Sequence, residues 1–322
     1  MGIIAALDKN YPNIPKVFSS RTRITYTKDR ATKILKGEFN LSLVTMRELL
    51  QDARKRKYAV GGFNVFNFET LSAVVEVAEE LKTPLVLGIP ERLFKFVDVD
   101  TLSAAMVHAA KKASVPAALH LDHGRTYEGV LKAIRWGFTS VMFDGSSLPL
   151  AENLKRTKEI TRIAHTLGIS VEGELGYVGF TDNKPVIEDD NIVTPDIAAE
   201  FVEKTKVDAL AVAVGNNHGA YRGAPKLNFS RLSELNAAVN VPLVMHGGSK
   251  LSRDDFRSFI QAGIAKINIA TDMSAAAAET LKAELAKNPG ANYIHLMTTV
   301  KKGVKDSVRK YMLAFDCISK AV

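Results

Sequence analysis

The 322-residue sequence contains one cysteine, Cys317, so it can form no internal disulfide and no cysteine-rich metal site. A chain of this size without disulfides suits a reducing cytosol. No apolar run reaches the roughly 18 residues of a membrane span. The N-terminus lacks a signal-like apolar segment, and "MGIIAA" fails the myristoylation pattern because position 6 is Ala. No GxGxxG turn follows the first β-rich run, and no HExxH helix is present. A cytoplasmic protein is expected, with neither a membrane-embedded segment nor the zinc-protease helix. The charge of +8 is uneven: residues 1–40 hold eight Lys/Arg against three Asp/Glu, a net of +5, leaving +3 for the remaining 282 residues. No stacking aromatics are interleaved with these basic residues. The segment therefore reads as a solvated or oligomer-contacting arm, and nucleic acid is not an expected partner.

What is present is a repeated unit. From residue 44 onward, short apolar β-rich runs alternate with segments of helical periodicity. The runs are "AVGGFNV" (59–65), "PLVLGI" (84–89), "PAALHL" (116–121), "TSVMFD" (139–144), "ISVEGEL" (169–175), "DALAVAV" (208–214), "VPLVMH" (241–246) and "AKINIA" (265–270). Helical segments such as "ETLSAVVEVAEELK" and "LAENLKRTKEITRIAHTLG" lie between them. Continuous apolar strands alternating with helices imply a parallel sheet covered on both faces. Eight units predict an α/β fold, a (β/α)8 TIM barrel spanning residues 41–322 behind the basic N-terminal extension of 1–40.

In such a barrel the C-terminal strand ends share one mouth, so the polar residues that close each run are candidate site residues. They are Asn64, Asp122 with His123, Asp144, Glu172 with Glu174, His218 in "GNNHG", His246 in "HGGS", and Asn268, Thr271 and Asp272 in "NIATD". Three of the seven histidines, His123, His218 and His246, therefore close separate strands facing one mouth. Three neutral imidazoles that leave a coordination position open suit catalytic zinc. Asp144 and Glu174 either orient the imidazoles or hold a metal in a secondary position. Gly247, Gly248 and Ser249, together with "NHG" and "NIATD", put small residues and free N–H groups at the barrel corner that commonly binds phosphate. A phosphorylated substrate follows.

The motifs "HLDHG", "SVMFDGSS", "VEGELGYVG", "AVAVGNNHGAY", "VPLVMHGGS" and "KINIATD" make the chain, from about Val44 to Lys320, resemble the class II, metal-dependent ketose-bisphosphate aldolases that act on fructose and tagatose bisphosphates. The resemblance implies that His123, His218 and His246 bind zinc and that Asp144 and Glu174 form an alternative or second cation site. It implies that Gly219, Gly247, Ser249 and Thr271 hold substrate phosphate, with a monovalent cation (Na+ or K+) nearby, and that Asn268 contacts substrate oxygens. It makes Asp122 the acid of the condensation direction. It also makes Asp182, in the polar loop after strand five, the base for proton exchange at the nucleophilic carbon, and it implies a homo-oligomer. The expected substrate is a phosphorylated sugar cleaved to dihydroxyacetone phosphate and an aldehyde.

The chain departs from the family pattern at three places. Gly88, Ile89 and Pro90 stand where a Gln-x-Ser sequence is common, Lys250 where glycine follows "HGGS", and Ala270 where many members have Asp. These leave open whether the sugar is fructose 1,6-bisphosphate, tagatose bisphosphate or a deoxy sugar acid phosphate. A Schiff-base aldolase needs a lysine at a strand's C-terminal end, whereas Lys266 begins strand eight. A noncatalytic metabolite- or RNA-binding barrel using the basic arm is the remaining alternative.

Overall fold

A computed structural model describes residues 42–176, 193–213, 227–249 and 251–321. The expected arm, Asp182, His218, Gly219 and Lys250 lie outside the described residues. The chain enters through α1 (Met46–Arg56), where Thr45 and Glu48 form a reciprocal capping box and Lys57 closes the helix in the left-handed conformation. Then follow β1 (Val60–Asn64), α2 (Phe68–Leu81), β2 (Leu85–Pro90), α3 (Val99–Lys112), β3 (Ala117–Gly124), α4 (Tyr127–Arg135), β4 (Ser140–Phe143) and α5 (Leu150–Thr166). The second half contains β5 (Ser170–Leu175), α6 (Pro195–Thr205), β6 (Ala209–Val212), α7 (Phe229–Ala238), β7 (Leu243–Met245), α8 (Arg253–Gln261), β8 (Ile264–Ile269), α9 (Thr271–Lys287) and α10 (Tyr293–Ala314).

The eight strands form one closed, all-parallel barrel in sequence order, with β8 pairing back onto β1 through Gly62 and Asn268. Nearly every strand residue is buried, because inward side chains fill the barrel and outward ones pack beneath helices. No helix among the described residues is long and apolar enough to cross a membrane.

The eight runs fall on the eight strands, and β3 extends past its apolar run, through the Asp122 and His123 expected to close it, to Gly124. One difference is informative. Strand eight begins at Ile264, so Lys266 does not start it but sits within it, pairing with Val60 and fully buried. After the eighth unit α10 packs along α2, where Glu76 and Glu80 meet Lys301, Lys305 and Arg309. The chain end returns to the barrel, where Ser319 N donates to Leu81 O at 3.1 Å and Ala321 N to Lys82 O at 3.0 Å. Cys317 is buried at this junction and donates to Met312 O at 3.2 Å.

Candidate active site

Consecutive residues in a regular strand point to opposite faces, so alternation alone cannot bring both Asp122 and His123 into one site. β3 solves this with an irregularity. Its register against β4 shifts between Leu121 and Gly124, and His123 takes a left-handed backbone with φ 44°. Such a conformation costs a non-glycine residue about 1 kcal/mol or more. The result is that both side chains face the same cluster, a common use of a bulge beside a site.

His246 follows β7 and completes the centre. Its Nδ1 lies 3.0 Å from His123 Nε2 and 3.9 Å from Asp122 Oδ1. The other nitrogen of each imidazole faces a carboxylate: His123 Nδ1 is 2.9 Å from Asp144 Oδ2, and His246 Nε2 is 2.8 Å from Glu172 Oε1. Glu174 Oε2 stands 3.8 Å from His123 Nδ1, and Ser146 donates to Asp144 through its N (3.2 Å) and Oγ (2.6 Å). Two sets of potential ligand atoms each lie within 4.8 Å of one another: Asp122, His123 and His246, and His123, Asp144 and Glu174. Both contain the imidazole and carboxylate donors that zinc takes. Glu174 Oε2 is buried without a hydrogen-bond partner among the described residues, as expected of an oxygen suited to a cation. The donor set fits a metal.

Asp122 is held from two sides. Asn64 donates to Oδ2 at 2.7 Å and Asn268 to Oδ1 at 2.8 Å. Two glycines make this possible. A Cβ on Gly88 would lie 2.4 Å from Asn64 Oδ1, and one on Gly62 would lie 2.4 Å from Asn268 Oδ1. The departure at Gly88 thus supplies room for the amide that fixes Asp122. Burial pushes the Asp122 carboxyl upward, but His123, His246 and Lys266 outweigh it and hold it well below the usual carboxylate range. Burial likewise opposes charge on His123, yet Asp122 and Asp144 raise its pKa to about 9. Burial and the neighbouring His123 charge lower His246. Glu174 is pushed up to about 8 by burial and by Asp144.

At the expected phosphate corner, Gly247 has φ 70° and Ser249 is buried. Thr271 is exposed as the first residue of α9, whose N-cap Ala270 makes no side-chain cap bond. The structure therefore brings Asn64, Asp122, His123, Asp144, Glu174, His246 and Asn268 together at one mouth. Two deeper groups stand below: Glu172, one of the strand-end candidates but without an assigned role, and His120, expected from its two-residue spacing to Asp122 to support the same wall. Glu172, two residues before Glu174 on the same inward face, lies one layer down and bonds Lys266 Nζ at 2.7 Å. His120, two residues before Asp122, lies 2.5 Å from Ser140 Oγ and 3.3 Å from Lys266 Nζ. Two-residue spacing was the available signal for both. Lys266 is committed to this buried layer rather than presented at the mouth as a Schiff-base lysine would be.

Comparison with known proteins agrees with this geometry. Residues 44–320 match the family described as fructose-bisphosphate aldolase class-II. The sulfofructosephosphate aldolase of Alkalicoccus urumqiensis is 36% identical over 284 residues, 87% of this chain and 99% of that protein. A probable fructose-bisphosphate aldolase of Bacillus subtilis (strain 168) is 40% identical over 252 residues, 77% of this chain and 88% of that protein. Among solved structures, the YdjI aldolase from Escherichia coli K12 superposes with a TM-score of 0.79 at 38% identity, covering 87% of this chain and 100% of that one. The chain belongs to the class II fructose-bisphosphate aldolase family and is, as such, a lyase.

Proposed function

We propose that the protein is a zinc-dependent aldolase that reversibly cleaves a phosphorylated ketose, similar to fructose 1,6-bisphosphate, to dihydroxyacetone phosphate and an aldehyde. The observation that carries this reading is Asp122 fixed beside the imidazoles of His123 and His246. His123, His246 and, outside the described residues, His218 would hold the zinc, which supplies Lewis acidity toward the substrate's ketone and hydroxyl oxygens. Asp144 orients His123, and with Glu174 it offers a second cation position. In cleavage Asp122, already a carboxylate, takes the proton of the hydroxyl whose carbon becomes the aldehyde. In condensation it returns that proton. Asn64 and Asn268 keep its oxygens aimed.

Gly219, Gly247, Gly248, Ser249 and Thr271 form the phosphate subsite, with a monovalent cation beside it. Asp182 exchanges the proton at the nucleophilic carbon, so Asp182→Ala slows solvent exchange of the dihydroxyacetone phosphate methylene proton without changing zinc content. The family resemblance supports a homo-oligomer working in the cytoplasm, with residues 1–40 outside the catalytic unit. The names of the relatives support two substrate chemistries, a fructose bisphosphate and a sulfofructose phosphate. A panel of phosphorylated ketoses, sulfonated ones included, assayed with zinc for release of the three-carbon phosphate decides between them. Inactivation by EDTA and loss of zinc in His246→Ala are the expected accompanying results. Substrate trapping by borohydride would replace this reading with a Schiff-base mechanism.

A further inference from the structure

The layer beneath the mouth is unusual for a barrel interior, which branched apolar side chains normally fill. Lys266 and Glu172 are both fully buried, with Nζ 2.7 Å from Oε2. A buried ion pair is a poor way to stabilise a fold, because apolar residues of similar volume often serve as well or better. Its position suggests another use. Glu172 Oε1 faces His246 Nε2 at 2.8 Å, while Lys266 Nζ also lies 3.3 Å from His120 Nε2, a ring backed by Ser140. The opposite nitrogen of His246, Nδ1, faces Asn268 Nδ2 at 3.3 Å and His123 Nε2 at 3.0 Å.

We propose that Lys266 is a positioning residue for the metal centre: acting through Glu172, it dictates which nitrogen of His246 carries the proton and which is offered to the metal. The inference rests on the reading of His246 as a ligand. A lysine ammonium only donates, so it fixes Glu172 Oε2 as an acceptor. A carboxylate donates nothing, so Oε1 in turn requires a proton on His246 Nε2. Nδ1 is then bare, in agreement with the Asn268 amide that points a donor at it. Lys266 never touches the metal or the substrate, and its effect is transmitted entirely through hydrogen-bond polarity.

This polarity makes a non-additive prediction. In Glu172→Gln the lysine still demands an acceptor, so it takes the amide oxygen and turns the amide NH2 toward His246 Nε2. That nitrogen must now accept, and the proton moves to Nδ1, where it opposes the metal. Zinc affinity is expected to fall about 10–100-fold, the usual range when an outer partner of a metal ligand is lost. In the double variant Lys266→Met/Glu172→Gln the amide is released to rotate and present its oxygen to Nε2, so zinc binds more tightly than to Glu172→Gln alone.

The test is chelator-competition titration of zinc against the wild-type protein and both variants, with circular dichroism to establish folding. It is accompanied by 15N spectra of histidine-labelled wild-type protein, with and without zinc. Recovery of affinity in the double variant, with Nε2–H on His246 in the wild type, is the expected result. A double variant that binds no more tightly than Glu172→Gln, or a wild-type His246 protonated at Nδ1, overturns the proposal. Wild-type protein that takes up no zinc overturns the metal reading instead, and the metal-free tautomer then still decides the role of Lys266.

Discussion

Asp122 and His123 are neighbours in the chain with opposite electrostatic tasks, and each yields a prediction. Asp122 is a carboxylate clamped by two amides. Asp122→Asn keeps the shape but cannot accept the substrate proton. It should retain zinc while losing about 10²–10⁴-fold in turnover, the range for a positioned acid or base. Metal analysis beside steady-state kinetics checks this, and loss of zinc would reassign Asp122 as a ligand. His123 supplies the pH dependence. In the metal-free protein its pKa lies at about 9 against an ordinary 6.5, and that of Glu174 at about 8 against 4.5. Folding therefore binds protons at both. The stability they contribute is complete below the unfolded values and is lost as pH rises through the folded ones. The melting temperature of EDTA-treated protein should fall from about pH 4.5, where Glu174 begins to contribute, to about pH 9, whereas zinc, which displaces the His123 proton, should bind more tightly as pH rises toward 9. A metal-free melting temperature that climbs across this window would contradict the assignment. The residue types at the mouth were legible in the sequence. The left-handed turn at His123 that lets both neighbours face one centre was not, because strand alternation forbids it.

At the scale of elements, the apolar runs located all eight strands, since buried parallel strands read as continuous hydrophobic sequence. Asp122 and His123 close β3 as the polar residues after its apolar run suggested, and the ladder to β2 continues to Asp122. One boundary was misplaced: Lys266 does not begin β8 but lies within it, because the barrel interior holds an ion pair where apolarity is the rule. Pairing between β1 and β8 also brings Gly62 against Asn268, with no space for a methyl group between backbone and amide. Gly62→Ala should therefore push Asn268 away from Asp122 while leaving both imidazoles in place. The expected outcome is a fall of at least about tenfold in turnover with zinc stoichiometry unchanged, given how steeply rates depend on the placement of catalytic groups. Unaltered turnover would show that Asn268 moves aside without consequence.

For the whole molecule, eight repeats of strand and helix predicted a closed barrel, and the order β1 to β8 with return pairing bears this out. The two helices after β8 were less legible, because α9 buries only Met273 and because α10, which buries Val300, Val304 and Val308 and pairs charges with α2, follows the eighth unit with no further strand to mark it. The junction where α10 hands the chain back to the barrel contains the one cysteine. Burial pushes the Cys317 thiol up to about 12, and no part of the residue is exposed in the closed barrel. A thiol reagent at neutral pH should therefore leave the native protein unmarked and react once denaturant opens this seam. Prompt modification under native conditions would mean that the seam breathes freely. The chain thus carries an intrinsic clock for its own opening. A reporter cysteine introduced on the outer surface can be labelled without first removing Cys317.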